Sequence, residues 1–167
     1  MTLGEIINRT CRRVDEDNTD QEIRQKIKDA VNEGYMDLAQ IDVIPVKTTV
    51  TAVDYKFTPP NDLFRISQIM QNGEIVEWKR RGNDYFSAVN GDLDLYYYKI
   101  PNELQDDSDI PEISERNHYL LVLYGAYGWY ESEGEFDKAE NFLNKYESKK
   151  ARIKLPGKGN LQFTVIR

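Results

Sequence analysis

The sequence predicts an α+β fold: a helical bundle built from both chain ends, an inserted antiparallel β-sheet, and an extended C-terminal arm. Three observations carry this. Apolar residues recur at helical spacing near both ends, but the period changes near Lys47. Asn72-Gly73 lies between two apolar runs, where a tight hairpin needs positive φ at both turn residues. Pro156-Gly157-Lys158-Gly159-Asn160 cuts off the last helix ahead of a stretch with strand alternation. Neither terminal helix pair can bury its apolar face alone, so the two pairs are expected to pack on each other. A single domain over 1–155 is expected, with helices at about 2–14, 19–41, 114–132 and 136–154, a sheet over about 47–99, and an arm at 156–167.

Thr2-Leu3-Gly4-Glu5 has the pattern of a capping box, in which the Thr and Glu side chains each satisfy a free backbone N–H. Leu3, Ile6, Ile7, Cys11 and Val14 then share one helical face. Asp15-Glu16-Asp17-Asn18 breaks the helix, and Thr19-Asp20-Gln21-Glu22 repeats the capping pattern. The second helix turns Ile23, Ile27, Ala30, Val31 and Leu38 inward and ends near Ile41, because Pro45 pushes the residue before it toward extended geometry.

From Lys47 to Phe57 the chain is rich in Val, Thr and aromatic residues and reads as a strand. Pro59-Pro60-Asn61-Asp62 is a turn, and Leu63 to Met70 is the next strand. Asn72-Gly73 joins Ile66–Met70 to Ile75-Val76-Glu77-Trp78 as a hairpin. Lys79-Arg80-Arg81-Gly82-Asn83 reads as a basic loop, Asn90-Gly91-Asp92 as a turn, and Leu93 to Tyr98 as the closing strand.

Asp106, Asp107 and Asp109 lead to Pro111-Glu112, an acidic approach to a helix start. The helix from Glu115 to Tyr130 is apolar almost all round, so it is buried or sandwiched between subunits. Gly125 and Gly128 each cost about 1 kcal/mol against Ala in a helix and mark a close approach of another backbone. Tyr119, Tyr124, Gly125, Tyr127, Gly128 and Trp129 are the candidates for subunit packing, and Tyr96-Tyr97-Tyr98 offers a second aromatic face. In the last helix Phe136, Ala139, Leu143 and Tyr146 fall at bundle spacing.

Leu161, Phe163 and Val165 alternate with Gln162 and Thr164. An isolated strand cannot satisfy its backbone, so this segment either returns to its own domain or adds itself to a partner. The glycine-rich, basic lead-in and the apolar Phe163 and Ile166 favour a partner.

The net charge of −7 is unevenly divided. From Lys145 to Arg167 seven basic residues face Glu147 alone, leaving the rest of the chain at about −13. So acidic a body does not hold DNA tightly, since nucleic-acid affinity comes mostly from neutralised phosphates. The basic end either complements a helix dipole or meets a phosphate backbone or acidic protein. No apolar run approaches the roughly 20 residues of a membrane helix, and nothing at the N-terminus resembles an export signal.

Catalytic chemistry finds no foothold. His118, the only histidine, sits where a structural role is the rule, and Cys11 alone forms neither disulfide nor metal cluster. No phosphate-binding glycine loop or nucleophile elbow occurs. Asp106, Asp107 and Asp109 lack the glycine turn and distal Glu of a calcium loop and read as a solvated turn. Lys79, Arg80 and Arg81, with Trp78 and Tyr85 nearby, read either as a solvated loop or as a contact to phosphate or a tail component. The expectation is a non-enzyme without cofactor or metal.

The N-terminal helical pair, Pro59-Pro60-Asn61-Asp62-Leu63-Phe64-Arg65-Ile66 leading to Asn72-Gly73, and Asp109-Ile110-Pro111-Glu112-Ile113 before Tyr119–Ala126 resemble the head–tail adaptor proteins of tailed bacteriophages. The resemblance covers nearly the whole chain as pattern and order. It implies a structural virion protein of the neck, assembled in the host cytoplasm as a homo-oligomeric ring of roughly twelve copies. Its implied partners are the portal protein and a tail or other neck protein, with DNA passing through without sequence-specific binding. It also implies that Leu161, Phe163, Val165, Ile166 and Arg167 form a portal-binding arm. Many compact adaptors are purely helical, and the inserted sheet departs from that pattern. The competing readings are an acidic DNA mimic and a carboxylate-based, metal-dependent nuclease.

Overall fold

A computed structural model describes residues 1–153. The described chain divides into two compact units, one made of Met1–Asp42 with residues 102–153, the other Val43–Pro101.

In the first unit, α1 spans Leu3–Val14 and α2 Gln21–Ala39; a 3₁₀ turn at Glu115–Asn117 leads into α3, His118–Ser132, and α4 covers Phe136–Lys150. Helix α3 lies against each of the other three, so the helices of both chain ends share one core. That arrangement explains why α3 is apolar on nearly every face: Leu120, Leu121, Val122, Leu123, Ala126 and Trp129 are all buried. The reciprocal capping box of Thr2 and Glu5 forms as expected. The second cap is displaced by one residue. Asp20, not Thr19, caps α2, its carboxylate accepting from the N–H groups of Glu22 and Ile23, while Thr19 is tied to Asp17. Phe136, expected in the core, opens α4 with 69% of its surface exposed; Ala139 and Tyr146 carry the burial of that helix.

Close approach is written into α3. A Cβ at Gly125 would meet Val31 Cγ2 at 3.0 Å and Thr10 Cγ2 at 3.2 Å, and one at Gly128 would overlap Ala30 Cβ. On α2, Gly34 makes way for Tyr124, whose Cγ would lie 2.6 Å from an added Cβ. Asp42 fixes the entry to α3 by accepting from Ser114 N (2.7 Å), Ser114 Oγ (2.8 Å) and Asn117 Nδ2 (2.8 Å).

In the second unit, strands β1 (Ile44–Ala52), β3 (Leu63–Gln71), β4 (Glu74–Ile75) and β7 (Gly91–Lys99) form a four-stranded antiparallel sheet ordered β1-β7-β3-β4. Strands β2 (Lys56–Phe57), β5 (Trp78–Arg81) and β6 (Asp84–Ser87) form a second antiparallel sheet ordered β2-β6-β5. Ala52, Phe57, Ile66, Ile69, Val76, Leu93, Leu95 and Tyr97 make the core of this unit. The first strand begins at Ile44, ahead of the expected Lys47; Pro45 is tolerated because β1 is an edge strand. The run Lys47–Phe57 is not continuous. Asp54 and Tyr55 adopt left-handed φ of 51° and 63° and turn the chain into the second sheet.

Asn72 and Gly73 have φ of 52° and 87°, the geometry that the hairpin required. The returning strand is shorter than expected: only Gln71↔Glu74 and Met70↔Ile75 pair. Val76 then drops into the core and Trp78 enters the second sheet. Lys79-Arg80-Arg81, expected as a loop, is strand β5, with the turn confined to Gly82-Asn83. Charged residues suit this edge because unpaired backbone groups there would otherwise invite aggregation.

Candidate interaction surfaces

The β5–β6 hairpin presents cations and aromatic rings together. Gly82, at φ 60°, makes the turn, and the ladder pairs Trp78 with Ser87, Lys79 with Phe86, Arg80 with Tyr85 and Arg81 with Asp84. Strand alternation places Trp78, Arg80 and Tyr85 on one face. The Trp78 and Tyr85 rings stack at 6.4 Å and 25°, and the Arg80 guanidinium lies 5.4 Å from the Tyr85 centroid. Arg80 Nε donates to Gly82 O at 2.8 Å, which holds the fork against the turn. Lys56 pairs with Asp84 at 2.7 Å, but Lys79 and Arg81 have no ion pair among the described residues.

A second surface is a groove of about 560 Å³ on the helical unit, lined by Asp29, Asn32, Glu33, Met36, Asp37, Gln40, Glu103 and Tyr124. Asn32 anchors its wall, donating to Leu104 O at 3.1 Å and accepting from Leu104 N at 2.9 Å. Asp29, Glu33 and Asp37 stand at i, i+4 and i+8 on one helix face, a like-charge spacing that costs stability. Asp37 is relieved by Lys150 at 2.6 Å and accepts from the Tyr146 hydroxyl. Asp29 accepts from Gln25 Nε2 at 2.7 Å, and Glu33 has no ion pair among the described residues. Sequence reasoning missed this groove, although the spacing of its three acids was there to read.

The aromatic candidates on α3 divide by location. Gly125, Gly128 and Trp129 are occupied within the helical unit: the glycines admit α1 and α2, and Lys26 Nζ lies 5.5 Å over the buried Trp129 ring. Tyr119, Tyr124 and Tyr127 remain half-exposed. Tyr119 accepts from Arg13, whose guanidinium also sits 5.1 Å over its ring. Tyr124 makes edge contacts with Tyr127 at 5.2 Å and Tyr146 at 4.9 Å. Burial, then the hydrogen bond to Glu131, pushes the Tyr127 phenol up to about 12, so it remains an uncharged donor. Of Tyr96-Tyr97-Tyr98, the latter two are buried and Tyr96 is half-buried beneath Lys47, so the second aromatic face is largely used inside the sheet.

A family model described as SU10 adaptor protein matches residues 1–162. The chain belongs to the SU10 adaptor family. It is therefore a phage head–tail adaptor, a structural virion protein whose family interacts with portal and tail components. No curated protein matches the chain.

The remaining candidate groups in the adaptor have structural employment. His118 is buried, with the Met1 amine on Nδ1 at 2.9 Å and Ile113 O beside Nε2 at 3.1 Å. The carbonyl only accepts, so Nε2 carries the proton and Nδ1 receives the amine. Cys11 is a buried core thiol, pushed up by that burial. The Asp109 carboxylate accepts from the N–H groups of Asp106 (2.9 Å) and Gln105 (2.7 Å), which hold it below the usual range, and Asp107 pairs with Arg24 at 2.5 Å. Among the described residues no group of three or more His, Cys, Asp or Glu side chains is placed to hold a metal ion. The proposed arm residues Leu161, Phe163, Val165, Ile166 and Arg167 lie outside the described residues, and the family match ends one residue before Phe163.

Proposed function

We propose that the adaptor assembles in the host cytoplasm as a ring of roughly twelve copies, docked in the virion neck beneath the portal. The ring continues the DNA channel toward the tail. Membership of the SU10 adaptor family over residues 1–162 is the observation that carries this reading. The charge supports it: at −7 the subunit repels phosphate, which suits a passage where DNA must slide. So does the surface of the helical unit, where Tyr119, Tyr124 and Tyr127 stay half-exposed and available for packing between copies. Residues 161–167 act as the arm that adds an extended strand to the portal, with Leu161, Phe163 and Val165 filling pockets on one side.

Native mass spectrometry of the adaptor, alone and mixed with its cognate portal, tests the reading. A discrete multimer on the portal is expected. A monomer or dimer that ignores the portal but captures a DNA-binding protein would favour the acidic mimic instead.

A further inference from the structure

We propose that the β5–β6 hairpin of one copy docks into the acidic α2 groove of the next, and that this contact closes the ring. The inference rests on the ring reading above and names the surfaces that would build it.

The two surfaces complement each other in charge and chemistry. The sheet unit, residues 43–101, holds seven basic and seven acidic residues, so the whole −7 belongs to the remainder of the chain. Within the sheet unit, Lys47 is matched by Asp94 and Lys56 by Asp84, while Lys79, Arg80 and Arg81 have no ion pair among the described residues. Arg80 is held against Tyr85 and the turn, and Lys79 and Arg81 are left to meet a partner. All four residues of β5 are exposed, Trp78 by 38% despite its size. An exposed Trp braced by Tyr and Arg is the residue set that anchors protein interfaces.

The groove supplies the counterpart. Glu33, without an ion pair among the described residues, and Glu103 offer carboxylates to Lys79 and Arg81. Strand β5 is the edge of its sheet, so a hairpin entering the groove edge-on turns Lys79 and Arg81 to one side and Trp78 to the other, where Met36 and Tyr124 offer apolar contact. A cation arriving from outside would also relieve the like-charge row of Asp29, Glu33 and Asp37. The hairpin and groove are different surfaces, so their contact is heterologous, the kind that generates a closed ring when the rotation permits. A DNA backbone would satisfy the hairpin cations but leave the groove carboxylates unrelieved. The next copy of the chain satisfies both.

Two charge-reversed variants provide the test. One carries Lys79→Glu with Arg81→Glu, the other Glu33→Lys with Glu103→Lys; all four side chains are exposed, so both are expected to fold, which thermal melts check. Each variant alone, incubated with portal, is expected to yield at least tenfold less ring than wild type by native mass spectrometry. An equimolar mixture is expected to restore it, because the two variants alternate with every contact again between opposite charges. A full ring from either variant alone, or no recovery in the mixture, overturns the proposal and leaves the ring reading intact. Loss of DNA-fragment binding by the hairpin variant with its ring unchanged would also overturn it, since the patch would then serve a polyanion. Failure of the wild type to form any ring on portal would instead sink the ring itself.

Discussion

Replacing Gly128 by Ala measures how closely α2 and α3 are packed. An added Cβ would lie well under 3.0 Å from Ala30 Cβ, while the next atom, Ala30 Cα, stands at 3.6 Å. Both β-carbons are fixed to helix backbones, so no rotamer change separates them. The helices would have to part by about 1 Å to regain an ordinary carbon contact near 3.5–4.0 Å. Helix propensity favours Ala over Gly by about 1 kcal/mol, whereas overpacking a closed core costs about 1–3 kcal/mol, occasionally more. Rigid backbone on both sides puts the strain at the upper end, so a net loss of about 1–2 kcal/mol is expected. For a chain of this size that corresponds to a fall of about 2–8 °C in melting temperature. Ala30→Gly alone should cost about 1 kcal/mol in propensity, yet in the double variant it removes the overlapping carbon. Urea denaturation of the four proteins gives the cycle, and a coupling of about 1–2 kcal/mol in favour of the double variant is expected. A Gly128→Ala protein as stable as wild type, or a coupling near zero, would refute the close approach of the two helices.

Other outcomes follow from the same geometry. Asp42→Ala strips three hydrogen bonds from the start of α3 and should cost about 2–3 kcal/mol in chemical denaturation. Tyr35 is fully buried, and burial foremost pushes its phenol up to about 12, while an unfolded Tyr titrates near 10. The raised folded value means that its contribution is complete below about pH 10 and is lost as pH rises from 10 toward 12. Tyr35→Phe should therefore flatten the alkaline decline in stability, and an unchanged slope would contradict this assignment. Deleting residues 157–167 should leave the melting temperature within about 2 °C of wild type and abolish docking on the portal by sedimentation. Phe163→Asp should do most of the same damage to docking, and Gln162→Ser little.

What could be read from the sequence was local. The Thr2–Glu5 capping box and the Asn72-Gly73 turn depend on contacts within a few residues, and both formed where expected. The glycines of α3 announced a tight contact, but a sequence does not say with whom; the structure shows Val31, Thr10 and Ala30 of the same chain. Asp20 outcompeted Thr19 as a cap because a carboxylate accepts from two N–H groups at once and Asp17 engaged the threonine. Strand β5 was hidden by its charge: Trp78-Lys79-Arg80-Arg81 lacks apolar alternation, and only pairing with Asp84–Ser87 reveals the ladder. The acidic groove needed Glu103 and Tyr124 brought beside α2 from distant sequence, which periodicity cannot supply. Family resemblance carried the functional reading further than any single residue, and the match over residues 1–162 supports it.

We propose that this adaptor works as a ring on the portal axis. Electron cryo-microscopy of the purified adaptor–portal complex tests it most directly. The expected image is a closed ring of repeated subunits, coaxial with the portal on its tail-facing side, with an open central passage. A single copy bound off the axis, or portal particles bare of adaptor at saturating concentration, would contradict it.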